Sequence, residues 1–179
     1  MNEEFDSIKK EYSEYYNSFF REGNLPLRDT GNGFWGPAVS DEIFEAFKKI
    51  KLHECSSFLD LGSGDGKVVL IASLFCRNAL GIERDKELIL HSMRMKDKLK
   101  RNNAVFIDKD FFEHDLSKHD VVFIYPDRPI SGNLEGKLLR ELKGKLVVYG
   151  HHFHPKQLRR ENNFTINGTY VGIYSNQRL

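Results

Sequence analysis

Three glycines at alternate positions follow an acidic residue in the first half of the chain. Residues 58–70 read FLDLGSGDGKVVL, an apolar run that ends in Asp60 and Leu61 and continues through Gly62, Gly64 and Gly66. Glycine permits positive φ angles and lets a ligand touch the backbone where another residue would carry a Cβ atom. The amphipathic helix predicted to follow at once offers free N–H groups to an anion. The segment therefore predicts a cofactor-binding turn.

The details of this turn separate three kinds of cofactor. A dinucleotide fingerprint needs its third glycine where this chain has Lys67, and a phosphate-binding P-loop needs Ser or Thr where it has Val68. The pattern D-x-G-x-G-x-G instead suits S-adenosylmethionine. The amino-acid end of that molecule needs an acid for its ammonium group and N–H groups for its carboxylate. We predict that Asp60, Ser63 and the three glycines bind this end.

Two more acidic residues follow the next apolar runs. Glu83 ends the second run, 23 positions after Asp60, where its carboxylate would accept hydrogen bonds from both ribose hydroxyls. Asp110 follows the third run and precedes Phe111 and Phe112, so it would accept from the adenine amino group while an aromatic ring stacks on the base. Two structural alternatives stay open: Glu83 as a surface acid at a strand end, and Asp110 as a helix cap.

These residues resemble those of the class I, seven-stranded S-adenosylmethionine-dependent methyltransferases, over about residues 34–174. Within that superfamily the chain is similar to the non-SET protein-lysine methyltransferases. That group includes archaeal relatives of the histone-methylating enzyme and the methyltransferase of the ATP-synthase c subunit. The segments that carry this similarity are residues 34–37, 60–67, 81–83 and 110–113. The resemblance implies S-adenosyl-L-methionine as cofactor, methyl transfer as activity, and a macromolecular acceptor, a protein lysine rather than RNA.

In methyltransferases of this fold the end of the fourth strand faces the transferred methyl group, and here residues 123–129 read FIYPDRP. We predict that Tyr125 and Asp127 are catalytic and orient the acceptor amine, with Pro126 fixing the turn between them. In the alternative, Asp127 merely pairs with Arg128. Methylation of an RNA base, methylation of a small molecule and a catalytically silent cofactor-binding module also remain open.

Aromatic residues near the N-terminus have two interpretations. Residues 3–21 predict a helix with an aromatic stripe, which is either a lid over the site or a buried face packed on the edge of the sheet. Trp35 lies in a glycine-rich loop, and we predict that it contacts the cofactor. Three histidines, His151, His152 and His154, follow the fifth strand as rim residues of the acceptor pocket, metal ligands or ordinary loop residues. We predict no metal site.

The elements that must position these residues alternate along the chain. Ser40 is expected to cap a second helix, and residues 22–37 are expected to be irregular. Apolar runs predict strands at 57–61, 79–83, 104–108, 120–125 and 145–149, with helices at 66–76, 86–100 and 133–143 and a short one at 112–117. Residues 163–167 and 170–174, joined by Gly168-Thr169, predict a hairpin.

This alternation predicts an α/β fold: a doubly wound, Rossmann-like, mostly parallel seven-stranded sheet that ends in a β-hairpin, with helices on both faces and an N-terminal helical extension. A length of 179 residues suits one domain. We expect residues 1–36, the N-terminal helix and glycine-rich loop, to belong to the same domain as the methyltransferase region, residues 37–179.

Composition excludes some function classes. With 27 basic and 26 acidic residues the chain is no general nucleic-acid coat, although basic residues concentrate in residues 137–160 and keep the RNA alternative open. No apolar run reaches the roughly 18 residues of a membrane span. The acidic start lacks a signal sequence, and the two cysteines fit a reduced compartment, so we predict a cytoplasmic protein.

Overall fold

The computed structural model of the protein describes residues 1–31 and 33–176. Residue 32, within the segment expected to be irregular, and residues 177–179, at the end of the predicted domain, lie outside the described residues. The helices are α1 (Asn2–Arg21), α2 (Ser40–Lys49), α3 (Lys67–Ala72), α4 (Lys86–Lys98) and α5 (Asn133–Glu141). The strands are β1 (Arg28–Asp29), β2 (Phe34–Trp35), β3 (Ser57–Leu61), β4 (Asn78–Glu83), β5 (Ala104–Asp108), β6 (Val121–Ile124), β7 (Lys145–Tyr149), β8 (Arg159–Ile166) and β9 (Thr169–Ser175).

Among the described residues, seven strands form one sheet in the order β5-β4-β3-β6-β7-β9-β8. Strands β3 to β7 run parallel to one another, whereas β9 is antiparallel to both β7 and β8. The chain thus winds outward from β3 to one edge, returns through β6 to the other side, and finishes as a hairpin. This confirms the predicted α/β fold with a mostly parallel seven-stranded sheet.

Both faces of the sheet are covered, as the nearly continuous apolar strands predict. Successive residues point to opposite faces, so Phe58 lies in the core beneath α1 to α4 and Leu59 in the core beneath α5. Both side chains are fully buried. Helices on both faces are therefore confirmed.

Helix α1 lies against the helices of one face, not against an edge strand as one of the two interpretations expected. Phe5 stacks on Phe44 of α2 with ring centroids 4.0 Å apart, and Tyr15 stacks on His91 of α4 at 3.7 Å. Tyr12, in the middle of the stripe, is completely buried. The aromatic stripe is thus a packing face, and it reaches the helix that follows the glycine turn.

Several boundaries differ from the predictions for local reasons. Val39, not Ser40, is the N-cap of α2, and no side chain caps this end. Helix α3 ends at Ala72, and the carbonyl of the next residue, Ser73, accepts side-chain hydrogen bonds from Arg101 and Asn103. The short helix predicted at 112–117 is instead two separate 3-10 turns.

The two ends of the chain contain more strand than expected. Residues 22–37 are not wholly irregular, because β1 and β2 pair as a small antiparallel sheet. Strand β8 begins at Arg159, four residues before the predicted start. The hairpin turns at Asn167 and Gly168, both with positive φ, so Thr169 is already paired with Ile166. None of the helices in the described part of the chain combines the length and apolar character needed to cross a membrane.

Candidate active site

A cavity of about 790 Å³ opens at the carboxyl ends of the parallel strands. Strands β3 and β6 are neighbours that lead the chain to opposite sides of the sheet, and ligands of open α/β folds bind at such a switch point. Ten of the residues predicted to form the site line this cavity: Trp35, Asp60, Gly62, Ser63, Gly64, Glu83, Asp110, Phe111, Tyr125 and Asp127. Gly66 is outside the lining.

The three glycines of the turn serve different purposes. All have positive φ, and a Cβ atom at Gly62 would meet nothing within 4 Å, so this glycine leaves the cavity open. A Cβ at Gly64 would lie 2.4 Å from Cδ1 of Trp35, and one at Gly66 would lie 2.6 Å from Oγ of Ser92. Gly64 is therefore needed for contact with Trp35, while packing against α4 accounts for Gly66.

Helix α1 holds the glycine turn from behind. The hydroxyl of Tyr12 donates a hydrogen bond to the carbonyl oxygen of Asp65 at 2.7 Å, and the hydroxyl of Tyr16 donates to its carboxylate at 2.5 Å. The same carboxylate accepts from the backbone N–H of Lys67 at 3.2 Å. The sequence predicted the aromatic stripe but not these contacts, because helical spacing does not reveal which polar group a tyrosine hydroxyl will contact.

Two polar groups of the cavity lack partners within the described residues. The Asp60 carboxylate is 3% exposed and accepts no hydrogen bond there, and the buried hydroxyl of Ser63 has no partner. Burial, and then the nearby carboxylates of Glu83 and Asp65, raise the pKa of Asp60 well above its usual range. A buried, unpaired carboxylate is costly for the folded protein unless a ligand supplies its partner.

Glu83 is held in a fixed orientation at the end of β4. Its Oε1 atom accepts from the backbone N–H groups of Arg84 at 2.7 Å and Asp85 at 2.9 Å, while Oε2 accepts from the N–H of Gly64 at 3.0 Å. The carboxylate thereby ties the turn after β3 to the turn after β4. It borders the cavity and is not an isolated surface acid.

Asp110 both lines the cavity and caps a 3-10 turn, so the helix-cap alternative describes part of its role. Its Oδ1 atom accepts from the backbone N–H of Phe112 at 2.9 Å, and Oδ2 pairs with the guanidinium of Arg84 at 3.1 Å. The ring of Phe111, which also lines the cavity, lies 4.8 Å from that of Phe112. An acidic and an aromatic group therefore stand side by side at this end.

On the opposite side of the cavity, Tyr125 and Asp127 follow β6. The ring of Tyr125 is 49% exposed and meets Tyr149 edge-on at 4.9 Å, and its hydroxyl makes no hydrogen bond within the described residues. The Asp127 carboxylate accepts from the backbone N–H of Phe34 at 2.7 Å and pairs with Arg128 at 3.2 Å. The geometry favours the alternative in which Asp127 pairs with Arg128.

The β1–β2 hairpin forms a strap over the cavity. The Arg28 guanidinium at one end forms ion pairs with Asp85 and Glu87, beside the end of β4. The contact between Phe34 and Asp127 fixes the other end to the segment after β6. The strap brings both Phe34 and Trp35 into the cavity lining. Their position in a glycine-rich segment of the sequence did not by itself establish this placement.

The three histidines after β7 separate in the structure. His152 lines the cavity, whereas the other two are outside its lining. The Nε2–H of His154 donates to the carbonyl oxygen of Gly150, so Nδ1 accepts from the hydroxyl of Tyr174, each at 2.9 Å. His154 thus has a structural role. No cluster of three or more His, Cys, Asp or Glu suited to a metal ion occurs among the described residues.

Comparison with protein-family models matches residues 60–162 to the ANTKMT methyltransferase domain. The chain belongs to this family. The match covers the glycine turn, Glu83, Asp110 and the segment after β6, so the ANTKMT-type domain includes most of the cavity described above. The resemblance to class I methyltransferases is confirmed.

Three curated relatives resemble this ANTKMT-type chain. A protein-lysine N-methyltransferase of Saccharolobus islandicus is 29% identical over 62% of this chain and 73% of that protein. A Caenorhabditis elegans protein, the lysine N-methyltransferase of the ATP synthase c subunit, is 27% identical over 57% of each chain. A probable cobalt-precorrin-6B C(15)-methyltransferase of Sulfurisphaera tokodaii is 32% identical over 49% of this chain and 50% of that protein. The match thus spans 57% and 50% of the last two relatives.

A solved structure agrees with the fold of the ANTKMT-type domain. The RNA methyltransferase of Salinibacter ruber, in complex with S-adenosyl-L-homocysteine, superposes with a TM-score of 0.69 over 78% of this chain and 93% of that one. At 21% identity this likeness shows the shared fold. Together with the family match, it identifies the chain as an S-adenosylmethionine-dependent methyltransferase, as predicted.

The cavity fits this cofactor. The acid Asp60 and the hydroxyl of Ser63, both without a hydrogen-bond partner in the part of the chain that the structure describes, lie beside the open backbone of Gly62. A second acid, Glu83, and an acid–aromatic pair, Asp110 with Phe111, complete the same lining. The groups that a sulfonium amino acid, a ribose and an adenine would each require are thus present in one cavity.

Proposed function

We propose that the protein methylates the side-chain amine of lysine in another protein. The observation that carries this proposal is the pair of exposed rings at the mouth of the cavity: Phe34 is 62% and Tyr125 49% exposed, and both line it. Aromatic faces attract a cation, and an apolar surrounding lowers the pKa of an amine so that its lone pair becomes available. The two relatives named as lysine methyltransferases support the same acceptor.

The distribution of basic side chains does not favour RNA as the acceptor. Lys137 is buried and paired with Glu141 at 2.6 Å, and Arg159 pairs with Glu161 at 3.5 Å. Lys145 starts β7, at the edge of the sheet opposite the cavity. The basic segment that kept the RNA alternative open is therefore partly neutralised, and the starts of β7 and β8 place Lys145 and Arg159 at the same end of the sheet, opposite the cavity.

We further propose how the lining residues divide the cofactor between them. Asp60 binds the ammonium group, and the backbone of Gly62, Ser63 and Gly64 surrounds the amino-acid end. Glu83 accepts from the ribose hydroxyls. The adenine base and the sulfur atom are surrounded by Asp110, Phe111 and Trp35. When bound, the sulfonium supplies a methyl group already activated for transfer, so the protein has to align the acceptor and exclude water.

On the acceptor side, we propose that Tyr125 orients the amine and that Asp127 acts as a positioning residue. The hydroxyl of Tyr125 makes no hydrogen bond to any residue that the structure describes, and it is available to accept one from an amine N–H. Asp127 already accepts from Phe34 and Arg128, and it keeps the Phe34 ring at the mouth of the cavity. The predicted cytoplasmic location remains a prediction.

Transfer of radiolabelled methyl groups from S-adenosylmethionine into a host lysate tests this function. The labelled lysate is divided and treated with protease or with nuclease, and acid hydrolysates are examined for methyllysine. We expect the macromolecular label to disappear with protease and to appear as methyllysine. Label removed by nuclease, or found only in small filterable products, would contradict the lysine proposal while leaving the methyltransferase activity intact.

Two matched variants complete the test. Glu83→Ala removes the carboxylate proposed to bind the ribose and should abolish labelling of every acceptor. Tyr125→Phe keeps the ring but removes the hydroxyl, so it should slow transfer while leaving the affinity for S-adenosylhomocysteine unchanged. A Tyr125→Phe variant as active as the wild type would remove the hydroxyl from the mechanism.

A further inference from the structure

Lys67 is a buried cation that is not among the site residues predicted from the sequence. It is the first residue of α3, is 2% exposed and lines the cavity. Its ammonium lies 4.5 Å from the centre of the Tyr16 ring and 5.8 Å from that of Tyr12. Within the described residues it has neither a hydrogen-bond acceptor nor a carboxylate in ion-pair contact. Lysine is almost never fully buried without a partner.

The nearest carboxylate does not satisfy this ammonium. Asp65 already accepts from the hydroxyl of Tyr16 and from the backbone N–H of Lys67. Burial lowers the pKa of the Lys67 side chain, and the attraction of Asp65 offsets this only in part. The folded protein thus carries the cost of desolvating a cation at the wall of its cofactor cavity, and an anionic group in the cavity would remove much of that cost.

The cavity also contains a buried group that can carry the opposite charge. Asp60 is a buried carboxylate without a partner among the described residues, and it lines the same cavity as Lys67. The two charges lie on either side of the glycine turn, at the end of β3 and the start of α3. A ligand with an ammonium and a carboxylate on one carbon atom, an α-amino acid, carries a group of opposite charge for each of them.

We propose that Lys67 binds the α-carboxylate of S-adenosylmethionine, while Asp60 binds its α-ammonium group. This inference rests on the proposed placement of the cofactor and adds a residue to it. A lysine side chain brings a full positive charge, whereas a helix end brings about half of one. A charge-assisted hydrogen bond from Lys67 therefore recognises the carboxylate more strongly than the backbone N–H groups alone. The site becomes selective for ligands that carry an intact amino-acid group.

Three ligands that differ only in this group test the proposal by calorimetry. S-adenosylhomocysteine carries both charges, its decarboxylated analogue keeps only the ammonium group, and methylthioadenosine has neither. Lys67→Met keeps the length of the side chain and removes its charge. We expect it to weaken S-adenosylhomocysteine about 10- to 100-fold and to leave the decarboxylated analogue and methylthioadenosine within about threefold of wild type.

Matched variants separate the two halves of the clamp. Asp60→Asn should weaken both ligands that carry the ammonium group and spare methylthioadenosine. Glu83→Gln should weaken all three, because each contains the ribose. Methylthioadenosine affinity also reports whether the Lys67 and Asp60 variants are folded.

The proposal is overturned if Lys67→Met binds S-adenosylhomocysteine as tightly as wild type, or if it weakens all three ligands equally. The first result would make Lys67 a structural cation held by Tyr16, and the second would mean that the substitution distorts the whole cavity. Failure of the wild-type protein to bind S-adenosylhomocysteine would instead count against the cofactor placement itself.

Discussion

The carboxylate of Asp127 accepts a hydrogen bond from the backbone N–H of Phe34 at 2.7 Å, which joins the segment after β6 to the strap over the cavity. The approach is close: a Cβ atom at Gly33 would lie 2.7 Å from Oδ2 of Asp127. Burial raises the pKa of Asp127, but hydrogen bonds from Arg128 and from Phe34 more than offset it and leave the pKa below its usual value. Such a carboxylate is a poor proton acceptor, so its contribution is to hold the strap in place.

Two substitutions of Asp127 separate holding the strap from direct catalysis. Asp127→Ala removes the acceptor for the Phe34 N–H and should reduce methyl transfer, while S-adenosylhomocysteine affinity changes little because Trp35 remains packed on Gly64. Asp127→Asn keeps an oxygen for that N–H and should retain much of the activity. Steady-state rates and calorimetry measure both effects. Equal loss of activity in the two variants would show that the charge itself is needed at the acceptor.

The parts of the site that the sequence predicted lie at the ends of strands. Asp60 and Glu83 terminate apolar runs whose lengths identify them as strands, and parallel strands bring their carboxyl ends to one edge. The positions of these acids relative to the sheet therefore followed from local pattern alone. The glycines between them restricted the choice of cofactor.

Other parts depend on contacts between segments far apart in the chain. Tyr16 reaches Asp65 across 49 positions, and Phe34 reaches Asp127 across 93. The residue types showed an aromatic stripe and a glycine-rich loop, but not their partners. Lys67 stands next to the third glycine, yet whether its side chain turns to solvent or into the cavity is decided by the packing of α1. Such features emerge only from the tertiary structure.

Removing the charge of Asp60 should stabilise the protein at neutral pH. Burial raises its folded-state pKa well above the value of about 3.9 in an unfolded chain. The folded state therefore favours the protonated carboxyl group of Asp60. This contribution to stability is fully present below the pKa of the unfolded chain and is lost as the pH rises through the pKa of the folded protein. Asp60→Asn cannot ionise, so its thermal midpoint at neutral pH should exceed that of the wild type. A lower midpoint would mean that the carboxylate has a stabilising partner.

The same raised pKa predicts a pH-dependent affinity. An ammonium group on the bound ligand favours the ionised form of Asp60, so binding at a pH below the raised pKa must release a proton. We expect S-adenosylhomocysteine affinity to fall as pH decreases through that pKa. Calorimetry in buffers of different ionisation enthalpy measures the released proton. The Asp60→Asn variant should bind S-adenosylhomocysteine more weakly and lose the pH dependence of its affinity. Unchanged proton release in this variant would show that another group releases the proton.

The hydroxyl of Tyr16 should contribute measurably to stability. Tyr16→Phe leaves the buried Asp65 carboxylate with one hydrogen bond fewer, which costs about 1–3 kcal/mol. Urea unfolding with Tyr15→Phe as control isolates the effect, because the Tyr15 hydroxyl makes no hydrogen bond within the described residues while its ring packs in the same stripe. Equal unfolding free energies for the two variants would show that the contact with Asp65 adds nothing.

A pair of histidines outside the cavity should make the fold sensitive to acid. The Nε2 atoms of His114 and His119 are 2.9 Å apart, in hydrogen-bond contact. Burial, and then the proximity of His114, lower the pKa of His119 to about 4, against about 6.5 in an unfolded chain. The unfolded state therefore binds more protons between these values, so stability is lost as pH falls from about 6.5 to about 4.

Replacing His119 tests this loss. His119→Gln keeps a group that hydrogen-bonds His114 but does not titrate, so its urea midpoint should fall less than that of the wild type between about pH 7.5 and about pH 4.5. The exposed His53, changed to Gln, serves as the control and should follow the wild-type curve, because its side chain is 61% exposed and its ion-pair partner is the exposed Glu54. If His119→Gln loses stability as steeply as the wild type, the acid sensitivity comes from other groups, and the part-buried contact between the two rings does not govern it.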